Sequence, residues 1–256
     1  MRTRKYRNIE KGSTYDLSIS DLMSALCCIF VLVTISIVAS LKEKNNLAEK
    51  YQELQEELYV DLSNEFSQEE LNKWGAYIDP ETLSIRFSGV NVSFKDYDDK
   101  IPQKYKEILD DFFPRLIQIL KNDKYRNEIE EIRIEGHSNP ADGIDLATGR
   151  KYKAGDDLDY STGIDLSQRR TANVLNYCLD NFTSSMEEKE WVRKHIAANG
   201  YSLSKPIYIK DSDGEVVYDL TTGKPIVDKA ASRRVEFRIK TNSDKIVQQF
   251  KKINGN

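Results

Sequence analysis

One uninterrupted apolar segment constrains this sequence more than any other feature: residues 17–41, LSISDLMSALCCIFVLVTISIVASL. Its single charged residue is Asp21, and the 20 residues from Leu22 to Leu41 carry no charge. At about 1.5 Å of rise per residue, a helix of that length spans about 30 Å, the thickness of the hydrocarbon core of a bilayer. The segment therefore predicts one transmembrane helix over residues 17–41.

The charges before this segment predict its orientation. The first eleven residues hold five basic residues against one acidic residue: Arg2, Arg4, Lys5, Arg7 and Lys11 against Glu10. Basic flanks stay in the cytoplasm. We therefore expect a single-pass inner-membrane protein with a cytoplasmic tail (1–16) and a periplasmic remainder. A cleaved signal peptide is the alternative, but the apolar segment is long and Ala39 and Leu41 do not form a good cleavage site.

Asp21 allows two interpretations. A carboxylate near the centre of a membrane helix costs about 2.5–3.5 kcal/mol, so such residues usually face a partner helix, a cavity or an ion path. Alternatively, Asp21 marks the start of the helix, where a carboxylate is favourable. Ser24 and Ala25 follow three and four residues later and share its helix face, which favours an Asp21 that faces protein.

Composition limits what the remaining chain can do. The formal net charge is −4, so nucleic acid is not an expected partner. Cys27 and Cys28 lie in the apolar segment, and we predict that Cys178 is a buried thiol rather than half of an intermolecular disulfide. With only His137 and His195 in the chain, we expect no zinc site and no cofactor.

Residues 42–74 predict a helical linker. Leu47, Tyr51, Leu54 and Leu58 follow one another at spacings of four, three and four. Such a seam fits either a short coiled coil (a stalk or plug that dimerises when tethered to the membrane helix) or an amphipathic helix packed on its own domain. Both interpretations stay open.

Residues 75–245 predict one α+β domain, followed by a tail (246–256). Alternating apolar residues predict strands around Leu83–Ile85–Phe87, at 129–138 and at 231–240, the last with Val235, Phe237 and Ile239 inward. Helical spacing predicts helices at 104–122 (kinked or divided at Pro114), at 165–182 (capped by Asp165 or Ser167, with a stripe of Ala172, Leu175 and Leu179) and at 185–200 (ended by Gly200). The order β-α-β-α-α-β predicts helices on one face of a mixed sheet.

Two insertions interrupt this pattern, at 139–163 and 202–229. They contain similar hexamers, DLATGR at 145–150 and DLTTGK at 219–224, which predict hairpins. DSDG at 211–214 matches the opening of an EF-hand loop, but Thr222 stands where that loop needs a glutamate. We therefore expect turn chemistry there rather than calcium.

Residues 80–240 resemble the OmpA-like peptidoglycan-binding family. Four stretches in order carry the resemblance: LSIRFSGVNVSFKDYDDKI, IRIEGHSN, DLSQRRTANVLNYC and SRRVEFRI. It implies that Asn139, Leu166, Arg170 and Arg234 bind the diaminopimelate carboxylates of peptidoglycan stems. Arginine suits this role because its planar guanidinium grips a carboxylate with two bonds. The alternative is that both arginines are structural and pair with Glu236 or surface carboxylates.

Asn139 departs from that family, which has an aspartate at the corresponding position. An amide cannot supply the charge that would receive the diaminopimelate ammonium. Asp142 and Asp145 are candidate substitutes.

The stretch SISDLMSALCCIFVLV resembles the membrane helix of MotB-type stator subunits, with Asp21 in place of their ion-carrying aspartate. The resemblance implies a homodimer inside a pentamer of a polytopic MotA/TolQ-like subunit, driven by protons or by Na⁺. The short tail and the hairpin insertions most resemble the ZorB type of Zorya anti-phage systems, whose partner is ZorA-like. A flagellar stator subunit and a passive wall anchor without ion transport are the alternatives. The sequence shows no arrangement of residues that indicates an enzyme.

Overall fold

The computed structural model describes residues 13–95, 97–139, 142–145 and 148–242, with side chains from residue 21 onward except at 43–48, 50 and 51. Residues 1–12 of the predicted cytoplasmic tail (1–16) and the predicted C-terminal tail (246–256) lie outside the described residues. The helices are α1 (Ser13–Glu65), α2 (Gln68–Trp74), α3 (Gln103–Leu120), α4 (Asp157–Asn181), α5 (Met186–His195) and α6 (Lys229–Ser232). The strands are β1 (Ala76–Asp79), β2 (Ser84–Ser88), β3 (Ile129–His137), β4 (Gly143–Ile144), β5 (Lys151–Tyr152), β6 (Ile196–Ser202) and β7 (Arg234–Thr241).

The chain divides into two compact units, residues 1–51 and 52–256. Within the described part of the first unit, α1 contains one stretch long and apolar enough to cross a membrane, Asp21–Lys42. Its large apolar side chains are exposed, Leu22 and Leu32 by 72% and 67%. Exposed apolar surface all round a helix of 22 residues fits a lipid environment.

The second unit is the expected α+β domain. Its five-stranded sheet has the order β1-β2-β7-β3-β6, with β3 and β6 parallel and the other pairs antiparallel. The predicted inward residues of β2 and β7 are buried, including Phe87 and Phe237 with no exposed surface. The rings of Phe112 on α3 and Phe237 on β7 lie 5.0 Å apart, so helix and sheet share one core. The predicted fold class is confirmed.

The C-terminal part of α1 belongs to this core. Leu58, Leu62 and Phe66, at and just beyond the end of the helix, have no exposed surface. The following turn is fixed by a capping box between Ser67 and Glu70. At Leu54 and Leu58, α1 is therefore an amphipathic helix packed on its own domain. The side chains of Leu47 and Tyr51 lie outside the described residues.

Several predicted boundaries are wrong. The helix predicted over 185–200 ends at His195, and Ile196–Ser202 forms β6, parallel to β3. Its apolar start, Ile-Ala-Ala, has no alternation, so only pairing with β3 reveals the strand. The edge strand β1 was also absent from the sequence prediction, because it has four residues and buries only Ala76.

Helix α4 begins at Asp157, with Asp156 as its N-cap, eight residues before the predicted start. The predicted caps Asp165 and Ser167 therefore lie inside the helix. The predicted stripe is only partly buried: Leu175 and Leu179 pack at the margin of the core. The fully buried residues of α4 are Asp159, Ser167, Thr171, Val174 and Cys178. Cys178 is buried as predicted, and burial raises the pKa of its thiol well above the usual range. Helix α3 runs through Pro114 undivided.

Both insertions form hairpins, as predicted. In the first, β4 and β5 pair antiparallel. In the second, three isolated antiparallel bridges join Tyr208 to Val227, Lys210 to Val216, and Tyr218 to Pro225. At DSDG, the carboxylate of Asp211 accepts hydrogen bonds from the amides of Asp213 and Glu215, which is the expected turn chemistry.

Candidate functional site

A cleft opens where β3 ends and α4 begins, beside the first hairpin. It contains about 810 Å³ of space, open to solvent. Its lining residues are Tyr97, Ser138, Asn139, Asp142, Tyr152, Asp159, Thr162, Gly163, Leu166, Arg170 and Arg233. Three of the four residues expected to bind the cell wall, Asn139, Leu166 and Arg170, thus meet on one surface.

Two glycines let α4 approach the sheet and carry Leu166 and Arg170 to this cleft. A Cβ atom at Gly200 would lie 2.5 Å from the backbone nitrogen of Gln168. One at Gly136 would lie 2.7 Å from Cγ2 of Thr171. Such contacts are too short for any other residue, so the position of α4 requires glycine at both sites.

Gln168 fixes α4 against β6. Its Nε2 donates a hydrogen bond to the carbonyl oxygen of Ala198 at 3.1 Å, and its Oε1 accepts one from the amide of Gly200 at 2.8 Å. The Gln168 side chain thus makes hydrogen bonds with one amide and one carbonyl group of the β6 backbone, as a neighbouring strand would.

Arg170 joins the cleft to the loop before α3. Its Nε donates to the carbonyl oxygen of Asp98 at 2.9 Å, and its Nη2 donates to that of Lys95 at 2.7 Å. The guanidinium also lies 5.0 Å from the ring centre of Phe94. These contacts orient the guanidinium, so the loop before α3 fixes its position on the cleft.

Arg234 stands apart from the cleft. It is only 8% exposed, its Nε donates to the carboxylate of Glu236, and its Nη1 donates to the carbonyl oxygens of Lys205 and Ser232, each at 3.2 Å. It borders a smaller pocket next to the cleft, which Arg170 also lines. The preceding residue, Arg233, is exposed and lines both spaces.

Sequence reasoning missed Arg233. The available signal was the Arg-Arg pair at the start of a strand, where successive side chains point to opposite faces. The structure places Arg233 on the cleft, and both arginines line the smaller pocket beside it.

Behind Arg234 lies a buried cluster of Glu135, His137 and Glu236. His137 Nε2 is 3.5 Å from Glu135 Oε2 and 3.9 Å from Glu236 Oε1. Burial lowers the pKa of His137. Burial by itself raises the pKa of Glu135, but the adjacent His137 ring and the charges of Lys205 and Arg238 hold it at about 2.

Among the described residues this cluster has the spacing of a metal site. Its carboxylates already have cations beside them, however. Arg86 Nε lies 3.2 Å from Glu236 Oε1, and Lys205 Nζ lies 3.5 Å from Glu135 Oε2. These cations oppose a divalent ion by repulsion, so we interpret the cluster as an ion-pair network that holds the ends of β3 and β7 together.

The hairpin wall of the cleft is acidic. Asp142 Oδ1 accepts a hydrogen bond from the amide of Ala154 at 2.8 Å, and Asp159 Oδ2 accepts one from the amide of Gly155 at 2.8 Å. Asp159 is only 5% exposed. The pKa of Tyr152 on the same wall is raised to about 12 by burial, by a hydrogen bond with Tyr97 and by the nearby charge of Asp159.

Asp21 lies in the other unit. Helix α1 begins at Ser13, so Asp21 is an interior residue of a helix and not its N-cap. It opens the 22-residue apolar stretch. The interpretation of Asp21 as a helix-start residue is therefore wrong.

Comparison with known proteins shows the family of this chain. The Zorya protein ZorB of Escherichia coli (strain ATCC 8739) is 35% identical over 248 residues, which cover 94% of this chain and 95% of that protein. The chain belongs to the ZorB family. No family model matches it.

Solved structures resemble this ZorB-family chain only distantly. A MotB-like protein from Desulfovibrio vulgaris is 18% identical to this chain, with a TM-score of 0.46. The match covers 76% of this chain and 95% of the Desulfovibrio chain. The periplasmic domain of Helicobacter pylori MotB is 13% identical to this chain, with a TM-score of 0.37. The match covers 67% of this chain and 84% of the Helicobacter domain. The family assignment rests on the curated relative.

Proposed function

We propose that this ZorB-family chain is the wall-anchored subunit of an ion-driven motor in the inner membrane that acts in anti-phage defence. The observation that carries the proposal is an aspartate, Asp21, at the opening of the apolar stretch in a chain related to ZorB over nearly its whole length. The membrane helix would conduct ions, and the α+β domain would hold the cell wall.

The chemistry of Asp21 supports ion transport. Because α1 begins at Ser13, the backbone amides around Asp21 bond within the helix and are not available to its carboxylate. A carboxylate in that position is costly in lipid until it faces protein, binds a proton or binds a cation. In our proposal, two copies of α1 stand inside a pentameric ring of a MotA/TolQ-like (ZorA-like) polytopic subunit. Reversible neutralisation of Asp21 by H⁺ or Na⁺ then lets the ring step.

The cleft supports wall binding. Arg170 and Arg233 place positive charge on it, and Asn139 and Leu166 complete the same surface. Peptidoglycan stems end in carboxylates, which guanidinium groups bind with paired hydrogen bonds. We propose Arg170 and Arg233 as the carboxylate-binding pair and assign Arg234 to the buried ion-pair network. In the resulting motor, the wall-bound domain would be the fixed part against which the ring works.

Replacement of Asp21 by asparagine tests the motor. In the native host, at matched expression, Asp21→Asn should abolish phage protection while swimming is unchanged, because an amide cannot carry a proton. Asp16→Asn is the matched control, since it makes the same change five residues earlier, outside the apolar stretch. Loss of swimming would instead indicate a flagellar stator. Full protection by Asp21→Asn would leave only a passive anchor.

Charge reversal at the cleft tests wall binding separately. Full-length protein with Arg233→Glu should lose sedimentation with purified sacculi, because the change reverses the charge of an exposed residue that lines the cleft. Arg193→Glu, on the last turn of α5 and away from the cleft, is the control. Sedimentation of the Arg233 variant at the level of the control would contradict the wall-binding surface.

A further inference from the structure

Both insertions project from the same end of the sheet. Strands β3 and β6 are parallel, and His137 at the end of β3 pairs with Ser202 at the end of β6. The first insertion follows β3 and the second follows β6, so the two leave the domain side by side. They also touch, since the hydroxyl oxygens of Tyr160 and Ser204 lie 3.2 Å apart. Apart from the residues at the cleft, the proposed function assigns no role to either insertion.

The second insertion is a closed arrangement of three short segments without a core of its own. The amide of Ile209 donates to the carbonyl oxygen of Ile226, that of Ile226 to Val217, and that of Val217 to Ile209, each at 2.9 Å. Each segment therefore pairs with both of the others. No residue from 203 to 231 is buried, however, and Leu220 and Tyr218 are 103% and 57% exposed. A hydrogen-bonded element that exposes this much apolar surface indicates a contact with another protein surface.

One turn of this insertion is acidic. Residues 210–215 carry three acidic side chains against one basic side chain, namely Asp211, Asp213 and Glu215 against Lys210. The turn itself uses Asp211, whose carboxylate accepts hydrogen bonds from the amides of Asp213 and Glu215. The carboxylates of Asp213 and Glu215 are exposed and make no hydrogen bond or ion pair with any residue that the structure describes. The acidic turn is therefore complementary to a cationic partner surface.

The first insertion offers such a surface. Residues 148–153 contain three exposed basic residues and no acidic one: Arg150, Lys151 and Lys153. Lys151 pairs with Ile144 across β4 and β5, so the two side chains share one face of the hairpin. The next residue, Tyr152, lines the cleft, so the face with Lys151 points away from the cleft. Since Ile144 is 43% exposed, this outer face combines an apolar side chain with a basic cluster.

We propose that two copies of this chain associate through their insertions, with the basic hairpin of each copy against the acidic turn of the other. Within one chain, the described residues form no ion pair between these two groups. Around a twofold axis the contact is reciprocal and forms twice. Ile144 of one copy would pack on Tyr218 and Leu220 of the other. The inference rests on the proposed function, which places two copies in one ring, and it assigns the surface by which their α+β domains meet.

This interface should be weak alone and sensitive to salt. Pairs of exposed charges contribute little individually and are screened by ions. Two chains held in one motor, however, meet at an effective concentration on the order of millimolar, which favours even a weak contact. We therefore expect the pairing in membranes rather than between dilute soluble domains.

Disulfide cross-linking of co-expressed full-length chains in membranes tests the pairing. A tagged copy carries Lys151→Cys and an untagged copy carries Asp213→Cys. Both also carry Cys27→Ala and Cys28→Ala, whereas the buried Cys178 is kept. Oxidation should join the tagged chain to the untagged chain, and each variant expressed alone should give little product. The control replaces Asp213→Cys by Asp123→Cys, since the side chain of Asp123 is 97% exposed and precedes β3, at the opposite end of the sheet.

Exchange of charges tests the electrostatic part. Lys153→Glu in the Lys151→Cys copy should lower the cross-linked fraction at least about threefold, because it turns an attraction between exposed charges into a repulsion. Glu215→Lys in the Asp213→Cys copy should then restore most of the cross-linking. Arg193→Glu, an exposed residue on the last turn of α5, should leave it unchanged.

The outcomes separate this inference from the proposed function. Absence of the mixed product, with normal sacculus sedimentation and phage protection, would overturn the pairing and leave the function intact. Lys151→Cys chains that cross-link to each other as well as to the Asp213→Cys copy would also overturn it. A chain with both cysteines should stop at dimers, and larger products would contradict a twofold pair. A mixed product together with full protection by Asp21→Asn would refute the motor and leave the pairing intact.

Discussion

The α+β domain should not fold without the end of α1. Leu58, Leu62 and Phe66 have no exposed surface, and Leu71 on α2 is 4% exposed. Burying each of these side chains contributes about 1.5–3 kcal/mol, so the four together contribute about 6–12 kcal/mol. Domains of this size are stable by only about 5–15 kcal/mol in total. A fragment that starts at residue 75 loses all four side chains and should be unfolded.

Polar contacts add to this loss. Arg115 on α3 donates to the carboxylate of Glu65 at 2.7 Å and to its carbonyl oxygen at 2.6 Å. The hydroxyl of Tyr125 donates to Asp61 at 2.5 Å. Without α1, the side chain of Tyr125, which is 1% exposed, loses that acceptor.

Urea denaturation followed by circular dichroism checks the argument. The fragment 52–256 should unfold in one cooperative transition, and the fragment 75–256 should show none. Within the longer fragment, Phe66→Ala should cost about 3–5 kcal/mol and Leu62→Ala about 2–5 kcal/mol, since each leaves a cavity. Val60→Ala, at a site 51% exposed on the same helix, should cost less than about 0.5 kcal/mol. Cooperative unfolding of the fragment 75–256 at the midpoint of the longer one would refute the reasoning.

Three further predictions concern the domain that carries the cleft. Gly200→Ala should destabilise the fragment 52–256 and weaken its binding to sacculi, because the added methyl group would push α4 away from the sheet. Urea denaturation measures the first effect and sedimentation the second. Gly214→Ala, in an open turn, is a control for backbone strain alone. Asp156→Ala should cost about 0.5–2 kcal/mol by removing the N-cap of α4, and an unchanged urea midpoint would contradict that role. The pKa of Glu135 is about 2 in the folded protein against 4.5 for a free side chain, so its stabilisation is present above pH 4.5 and is lost as the pH falls toward 2. Glu135→Gln should flatten the dependence of the unfolding free energy on pH across that range, and a slope equal to that of the natural sequence would refute the assignment.

The parts of the fold that could be predicted from sequence are those with strong local periodicity. Strands β2 and β7 alternate apolar and polar residues, and α3 has a clear apolar stripe, so their types follow from the sequence alone. Strand β6 could not be recognised because Ile196 and the two alanines after it carry no alternation, and its identity depends on β3, more than 50 residues away. The early start of α4 was hidden because its first two turns are polar and read as loop.

The cleft divides in the same way. Asn139, Leu166 and Arg170 could be placed from the resemblance because each lies in a stretch that resembles the family. The place of Arg233 on the cleft could not, because the phase of β7 relative to the cleft depends on which residue pairs with His137, and that register is a tertiary property. The acidic wall of the cleft could be predicted only in part. Asp142 was a candidate, but the hydrogen bond from the amide of Gly155 to Asp159 depends on how the insertion folds.

The contact of Gln168 with β6 has a consequence for assembly. As the last strand of the sheet, β6 would otherwise offer its free backbone groups to any strand that came alongside. The Gln168 amide already satisfies Ala198 and Gly200, so a second domain could extend the sheet only by displacing that side chain. In the proposed homodimer, two neighbouring α+β domains would thus be kept from joining through β6, which lowers the risk of aggregation at this edge.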